Sequence, residues 1–186
     1  MDSPAVPSMD EHWAPDHVVL ARHVLAHAGR LFVERDASGA VLTHAPLAGM
    51  AALEHRYPAW ALGPFGRIEP EYELPATPGV FALVSNGVVH YVGSCGDLAR
   101  CFSMGHGLGH ITRRESRSSR TEERCRLNRL ITNEAIAGRA VDLYLLPMAG
   151  GWGRAWLARW RSSHEPAAQV AAEILAASRG DWHLPE

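Results

Sequence analysis

The spacing of hydrophobic positions changes several times along this chain, and each change marks an element. From Gly79 to Gly93 the segment GVFALVSNGVVHYVG holds two apolar runs around Asn86-Gly87. Both turn residues accept positive φ, so Asn-Gly between such runs predicts a β-hairpin. From His17 to Gly29 apolar residues recur at Val18, Val19, Leu20, Val24 and Leu25, which predicts an amphipathic helix with His23 and His27 on one face. Segments 30–33 and 40–43, joined through Ser38-Gly39, predict a small hairpin. Leu47 to Tyr57 predicts another short helix stopped by Pro58. Pro58 to Pro78 reads as a connector, because Pro75 and Pro78 discourage regular pairing.

Beyond the hairpin, Asp97 is placed to cap a helix starting at Leu98, and the glycines at 105, 107 and 109 end it as a flexible turn. Arg113 to Arg120 is a charged loop. Ser119 and Glu122 have capping-box spacing, and 121–137 sets Cys125, Leu127, Leu130, Ile131, Ala135 and Ile136 along a helix that Gly138 terminates. Ala140 to Leu146 alternates as a strand. Glu165 to Ser178 reads as a helix with Pro166 in its first turn. Trp152, Trp156 and Trp160, interleaved with Arg154, Arg159 and Arg161, predict core packing or a partner interface, with a nucleic-acid stacking surface as the alternative.

Composition narrows the class. The 186 residues are 47% hydrophobic and 20% charged, which is ordinary for one globular domain with appendages. Apolar runs far shorter than a bilayer span and an acidic N-terminus predict a soluble, cytoplasmic protein without membrane contact. Three cysteines, an odd number, argue against a disulfide framework and for a reducing compartment. All 18 basic residues are arginine, and the net charge of −2 gives no bulk case for nucleic-acid binding.

The distribution of charge does. Between residues 100 and 139 nine arginines face four glutamates, the footprint of phosphate contact, for which a solvated helix face is the alternative. Arg113, Arg114, Arg117, Arg120, Arg126 and Asn128 are the candidate nucleic-acid contacts. Cys95, Cys101, His106 and His110 offer a second chemistry, two thiolates and two imidazoles for a tetrahedral zinc site in a small interaction module.

Gly79-Val80-Phe81, Tyr91-Val92-Gly93-Ser94, Asp97-Leu98, the helix from Cys125 to Ile131 and the run from Gly138 to Tyr144, taken in that order, resemble the bacterial and phage branch of the GIY-YIG endonuclease family. The resemblance covers about Leu74 to Trp182. It implies an α+β fold, a small three-stranded antiparallel sheet flanked by helices, over 74–186. Residues 1–73 then form an N-terminal extension, mostly helical with the small hairpin. The resemblance also implies hydrolysis of phosphodiester bonds in DNA with Mg²⁺ or Mn²⁺ as cofactor.

It further implies a catalytic set of Tyr91, Phe81, Arg100 and His183 with Glu173 as metal ligand, and only Tyr91 stands in the family's register. Phe81 keeps the ring of the first-motif tyrosine and lacks its hydroxyl. The arginine position falls on Cys101, with Arg100 about 100° away around a helix. The metal-binding glutamate position falls on Ala171, with Glu173 two residues later, and His183 after Trp182 stands where the family has asparagine. The expectation is a GIY-YIG-type homologue that acts on or binds DNA with weak or lost hydrolysis. The alternative is an active metal-dependent endonuclease in which Arg100, Glu173 or Glu165, His106 and His183 take displaced roles beside Tyr91.

Overall fold

The structure is a computed structural model that describes residues 12–48, 56–148, 164–177 and 180–183. The chain opens with β1 (His17–Leu20) and β2 (His23–Val33), continues through β3 (Thr43–His44), α1 (Ala59–Leu62), β4 (Phe65–Gly66) and β5 (Ile68–Pro70), and reaches the central hairpin of β6 (Gly79–Ser85) and β7 (Val88–Cys95). There follow α2 (Leu98–Cys101), two 3₁₀ turns (Glu115–Arg117 and Ser119–Thr121), α3 (Glu122–Ile136), β8 (Asp142–Pro147) and α4 (His164–Ala177). The helix expected over 47–57 and the Trp-Arg run at 152–161 fall largely or wholly outside the described residues.

The hairpin turns where the sequence places it, with Asn86 at φ 51° and Gly87 at φ 74°. The sheet around it overturns the expected three-stranded architecture. Six strands pair antiparallel in the order β1-β2-β8-β6-β7, with β5 added on β2, and β3 and β4 form a separate pair. Two of the extra strands come from the segment expected to be helical. Val18 pairs with Leu25 on the inner side, while the pair Val19 and Val24 faces outward at 67% and 50% exposure. The same five apolar positions satisfy both periods, and β-branched side chains favour the extended one. The turn at Ala21-Arg22 carries no glycine or asparagine, although Ala21 takes φ 53°.

Alternation along the strands produces two cores. Phe81, Leu83, Tyr91, Leu143 and Leu145 pack with Leu127 and Ile131 of α3. Val80, Ala82, Val92 and Tyr144 pack on the other face with Ala167, Ala171 and Ile174 of α4. Each face therefore carries one long helix, and the two are separated by the thickness of the sheet.

Local chemistry sets the ends and joints. Asp97 caps α2 by accepting from the Arg100 amide at 2.9 Å. Thr112 and Glu115 bond each other reciprocally at the entry to the first 3₁₀ turn, since Glu115 Oε2 accepts from Thr112 N at 2.9 Å and Thr112 Oγ1 accepts from Glu115 N at 3.3 Å. The Ser119 box expected for α3 does not form, because Ser119 lies inside the second 3₁₀ turn. Cys95 and Cys101, with Cα atoms 6.3 Å apart, form a disulfide between the end of β7 and the end of α2, against the expectation of free thiols. Cys125 remains a buried thiol, its pKa pushed up to about 11 chiefly by burial. No helix among the described residues is long and apolar enough to cross a membrane.

Candidate functional site

The α3 face of the hairpin holds one tyrosine whose hydroxyl meets a charged group. Tyr91 donates to Glu123 Oε1 at 2.6 Å. Its ring stacks on His183 with centroids 4.3 Å apart and planes 16° apart, and it lies 5.6 Å from the ring of Phe81. Gly93 makes this arrangement feasible, because a Cβ there would come within 2.7 Å of Tyr91 and 2.8 Å of Phe81. The glycine of the Tyr-Val-Gly run is thus required by two rings crossing its backbone. Burial first, then the Glu123 carboxylate, hold the Tyr91 pKa far above that of a free tyrosine.

Residues 180–183 frame the site from beyond the edge of β7. Gly180 rests on β7 so closely that a Cβ would meet His90 O at 2.0 Å. Trp182 N donates to His90 O at 3.0 Å, and the Trp182 indole stacks on the His90 ring at 4.8 Å and 16°. Asp181 bonds the other side of the arrangement through His90 Nδ1. His183 Nε2 accepts the Val92 amide at 3.0 Å, so this nitrogen carries no proton.

Between this turn, α1 and α3 lies a cavity of about 490 Å³, lined by Trp60, Arg126, Arg129, Asn133, Trp182 and His183 among others. Trp60 packs on the far side against Phe65, Ile111 and Cys125. Arg129 donates to Ala59 O at 2.8 Å, and Arg126 pairs with Glu122 one helical turn earlier. Arg117 extends the basic surface, with its guanidinium 6.0 Å over the Tyr57 ring beside α1. Arg113, Arg114 and Arg120 are exposed on and around the 3₁₀ turns.

The remaining sequence candidates are distributed elsewhere. Asn128 is fully buried and is no nucleic-acid contact; its amide accepts from Gly66 N at 3.1 Å and donates to Gly66 O and Leu108 O at 3.0 and 2.8 Å. Phe81 is a core ring wedged between Tyr91 and Phe102. Arg100 points to solvent and shares no hydrogen bond or ion pair with Tyr91, Glu123 or His183. His183 does stand beside Tyr91, but its Nε2 is occupied by backbone.

Glu173 belongs to the opposite face. Its carboxylate takes Arg22 at 2.7 Å and His23 at 3.1 Å, partners that hold its pKa down, His23 before Arg22. Ala171, where the resemblance would place a glutamate, is buried against the sheet on that face. These residues do not fit a metal site facing Tyr91, and no group of three His, Cys, Asp or Glu side chains suited to a metal ion occurs among the described residues. The four proposed zinc ligands do not converge either. The two cysteines are bonded to each other, His110 stacks on His44 at 4.8 Å, and His106 is exposed.

No family model, curated protein or solved structure matches the chain. Glu123, Trp60, Arg129 and Asp181 are the site residues that sequence reasoning passed over. Glu123 was visible only as a charge, because its partner lies 32 residues away on a strand.

Proposed function

We propose that the chain binds nucleic acid through the arginine-bearing surface around α1 and α3, as a homologue of the GIY-YIG endonucleases whose phosphodiester hydrolysis is weak or lost. The observation that carries this reading is the gathering of Arg126 and Arg129 in one cavity with Trp60, Trp182 and His183, the last stacked on Tyr91, with Arg117 over the Tyr57 ring nearby. Guanidinium groups recognise phosphate oxygens in forked geometry, and the half-exposed pair of Arg126 with Glu122 is of a kind that exchanges its carboxylate for phosphate at little cost.

Weak hydrolysis follows from proton inventory. A tyrosine can activate water only by accepting a proton, and buried Tyr91 keeps its own proton in a bond to the Glu123 carboxylate. Phe81 offers no second hydroxyl, and the carboxylate implied as metal ligand is engaged on the other face.

Fluorescence anisotropy with a labelled DNA oligonucleotide tests the binding. Affinity is expected to fall steeply with salt, and the double substitution Arg126→Ala, Arg129→Ala is expected to lower it about tenfold or more. Absence of binding at low salt overturns the proposal. A nicking assay on supercoiled plasmid with Mg²⁺ or Mn²⁺ is expected to show no cleavage above background. Metal-dependent nicking that disappears in Tyr91→Phe would overturn the loss of hydrolysis and favour the active alternative.

A further inference from the structure

The geometry points to the cavity between α1, α3 and residues 180–183 as a subsite for one unpaired nucleotide, with its base against the tryptophans and its phosphate on Arg126 and Arg129. This rests on the nucleic-acid reading above and adds a specificity to it: the chain distinguishes an unpaired nucleotide, at a strand end, bulge or flap, from continuous duplex.

Size and shape come first. About 490 Å³ is room for a single nucleotide. The walls are chemically divided. Trp60 and Trp182 supply flat apolar surface, Arg126 and Arg129 supply positive charge from successive positions on one face of α3, and Asn133, one turn further along that helix, offers both a donor and an acceptor. A nucleotide has the same division of base face, base edge and phosphate. Stacking on an aromatic ring is available only to a base whose own face is not covered by a neighbour, so duplex cannot use these walls.

The walls are also fixed before any ligand arrives. Trp182 is stacked on His90, tied through its own amide to the His90 carbonyl, and steadied by Asp181 on the His90 ring. Trp60 is packed against Phe65, Ile111 and Cys125. Arg129 is held by the Ala59 carbonyl. Groups already ordered lose little freedom on binding, which is what distinguishes a recognition pocket from incidental surface aromatics. Asp181 stands on the Trp182 side of the rim, so repulsion directs the phosphate toward the arginines.

The test uses the full chain and two DNA probes of one sequence, each carrying 2-aminopurine, one with that base unpaired in a bulge and one fully paired. Wild type is expected to bind the bulged probe about tenfold more tightly and to quench its 2-aminopurine emission on saturation. Trp60→Ala is expected to abolish both the preference for the bulged probe and the quenching. Arg129→Gln, at a half-exposed position that disturbs no core, is expected to reduce the preference and so guards against loss of folding in the tryptophan variant. Equal affinity for both probes with unchanged emission overturns the subsite and leaves nucleic-acid binding standing. Failure to bind either probe overturns both.

Discussion

Tyr91 on β7 and Tyr144 on β8 flank β6 at neighbouring rungs, paired with Leu83 and Ala82, and so point to opposite faces of one sheet. Both are buried, and both donate through the hydroxyl. Tyr144 gives its proton to the Pro15 carbonyl at 2.8 Å, a neutral backbone acceptor. Tyr91 gives its proton to Glu123, a carboxylate on an exposed residue of α3. Burial is the main cause that raises both pKa values, Tyr144 to about 12 with the Asp142 and Asp16 charges adding, and Tyr91 further, where burial comes first and the Glu123 carboxylate in direct contact adds to it.

The difference extends to the whole faces. On the α4 side the acids are closed by one arginine and three histidines from the N-terminal strands and the segment before them: Glu173 takes Arg22 and His23, and buried Asp142 takes His12 and His27. On the α3 side arginines outnumber local acids and border a cavity. A site depends less on which residue a strand presents than on whether the packed elements leave its partner in contact with solvent.

The largest test of this contrast is Ala171→Glu, which places a carboxylate where the GIY-YIG resemblance would put a metal ligand. Because Ala171 is buried among apolar side chains on the α4 face, the substitution is expected to cost about 3 kcal/mol or more in urea unfolding and to confer no metal-dependent cleavage. A stable variant that nicks plasmid would place the two faces in one site and break the comparison.

Asn128→Ala probes how the α3 face is held. It leaves Gly66 O and Leu108 O without their donor, with an expected loss of about 2–3 kcal/mol in the same measurement and nucleic-acid affinity unchanged in the folded protein. Loss of affinity without loss of stability would return Asn128 to the binding surface.

The smallest effect separates the tyrosines themselves. Tyr91→Phe is expected to cost about 1 kcal/mol at neutral pH, and Tyr144→Phe less. The folded Tyr91 pKa lies above its unfolded value near 10, so its contribution is complete below that pH and is lost as pH rises beyond it, at up to ~1.4 kcal/mol per unit. Urea midpoints at pH 8, 10 and 11 should therefore fall more steeply for wild type than for Tyr91→Phe. Identical slopes would mean that Tyr91 ionises as freely as in the unfolded chain.

What could be read from the sequence was local. The 79–95 hairpin announces itself through Asn86-Gly87, and α3 through Cys125, Leu127 and Ile131 with Gly138 behind them at φ 74°. The β1–β2 hairpin did not, since its spacing fits two periods and its pairing with β8 joins residues more than a hundred positions apart. Asn128 was misread because a polar residue among arginines looks like surface until the backbone it clamps is known. The disulfide was missed because counting three cysteines says nothing about Cys95 and Cys101 meeting across the end of α2.

Residues 180–183 also decide what the rim of the sheet can do. Among the described residues β7 is an outer strand, and the outer side of such a strand offers amides and carbonyls to any passing extended segment. The His90 carbonyl is occupied by Trp182 N and the Val92 amide by an imidazole nitrogen, a side chain standing in for the rung of a seventh strand. A chain shortened after Ala177 would expose that rim and should self-associate by strand addition, and protonating His183 would convert the acceptor at Val92 into a donor and loosen the same seal.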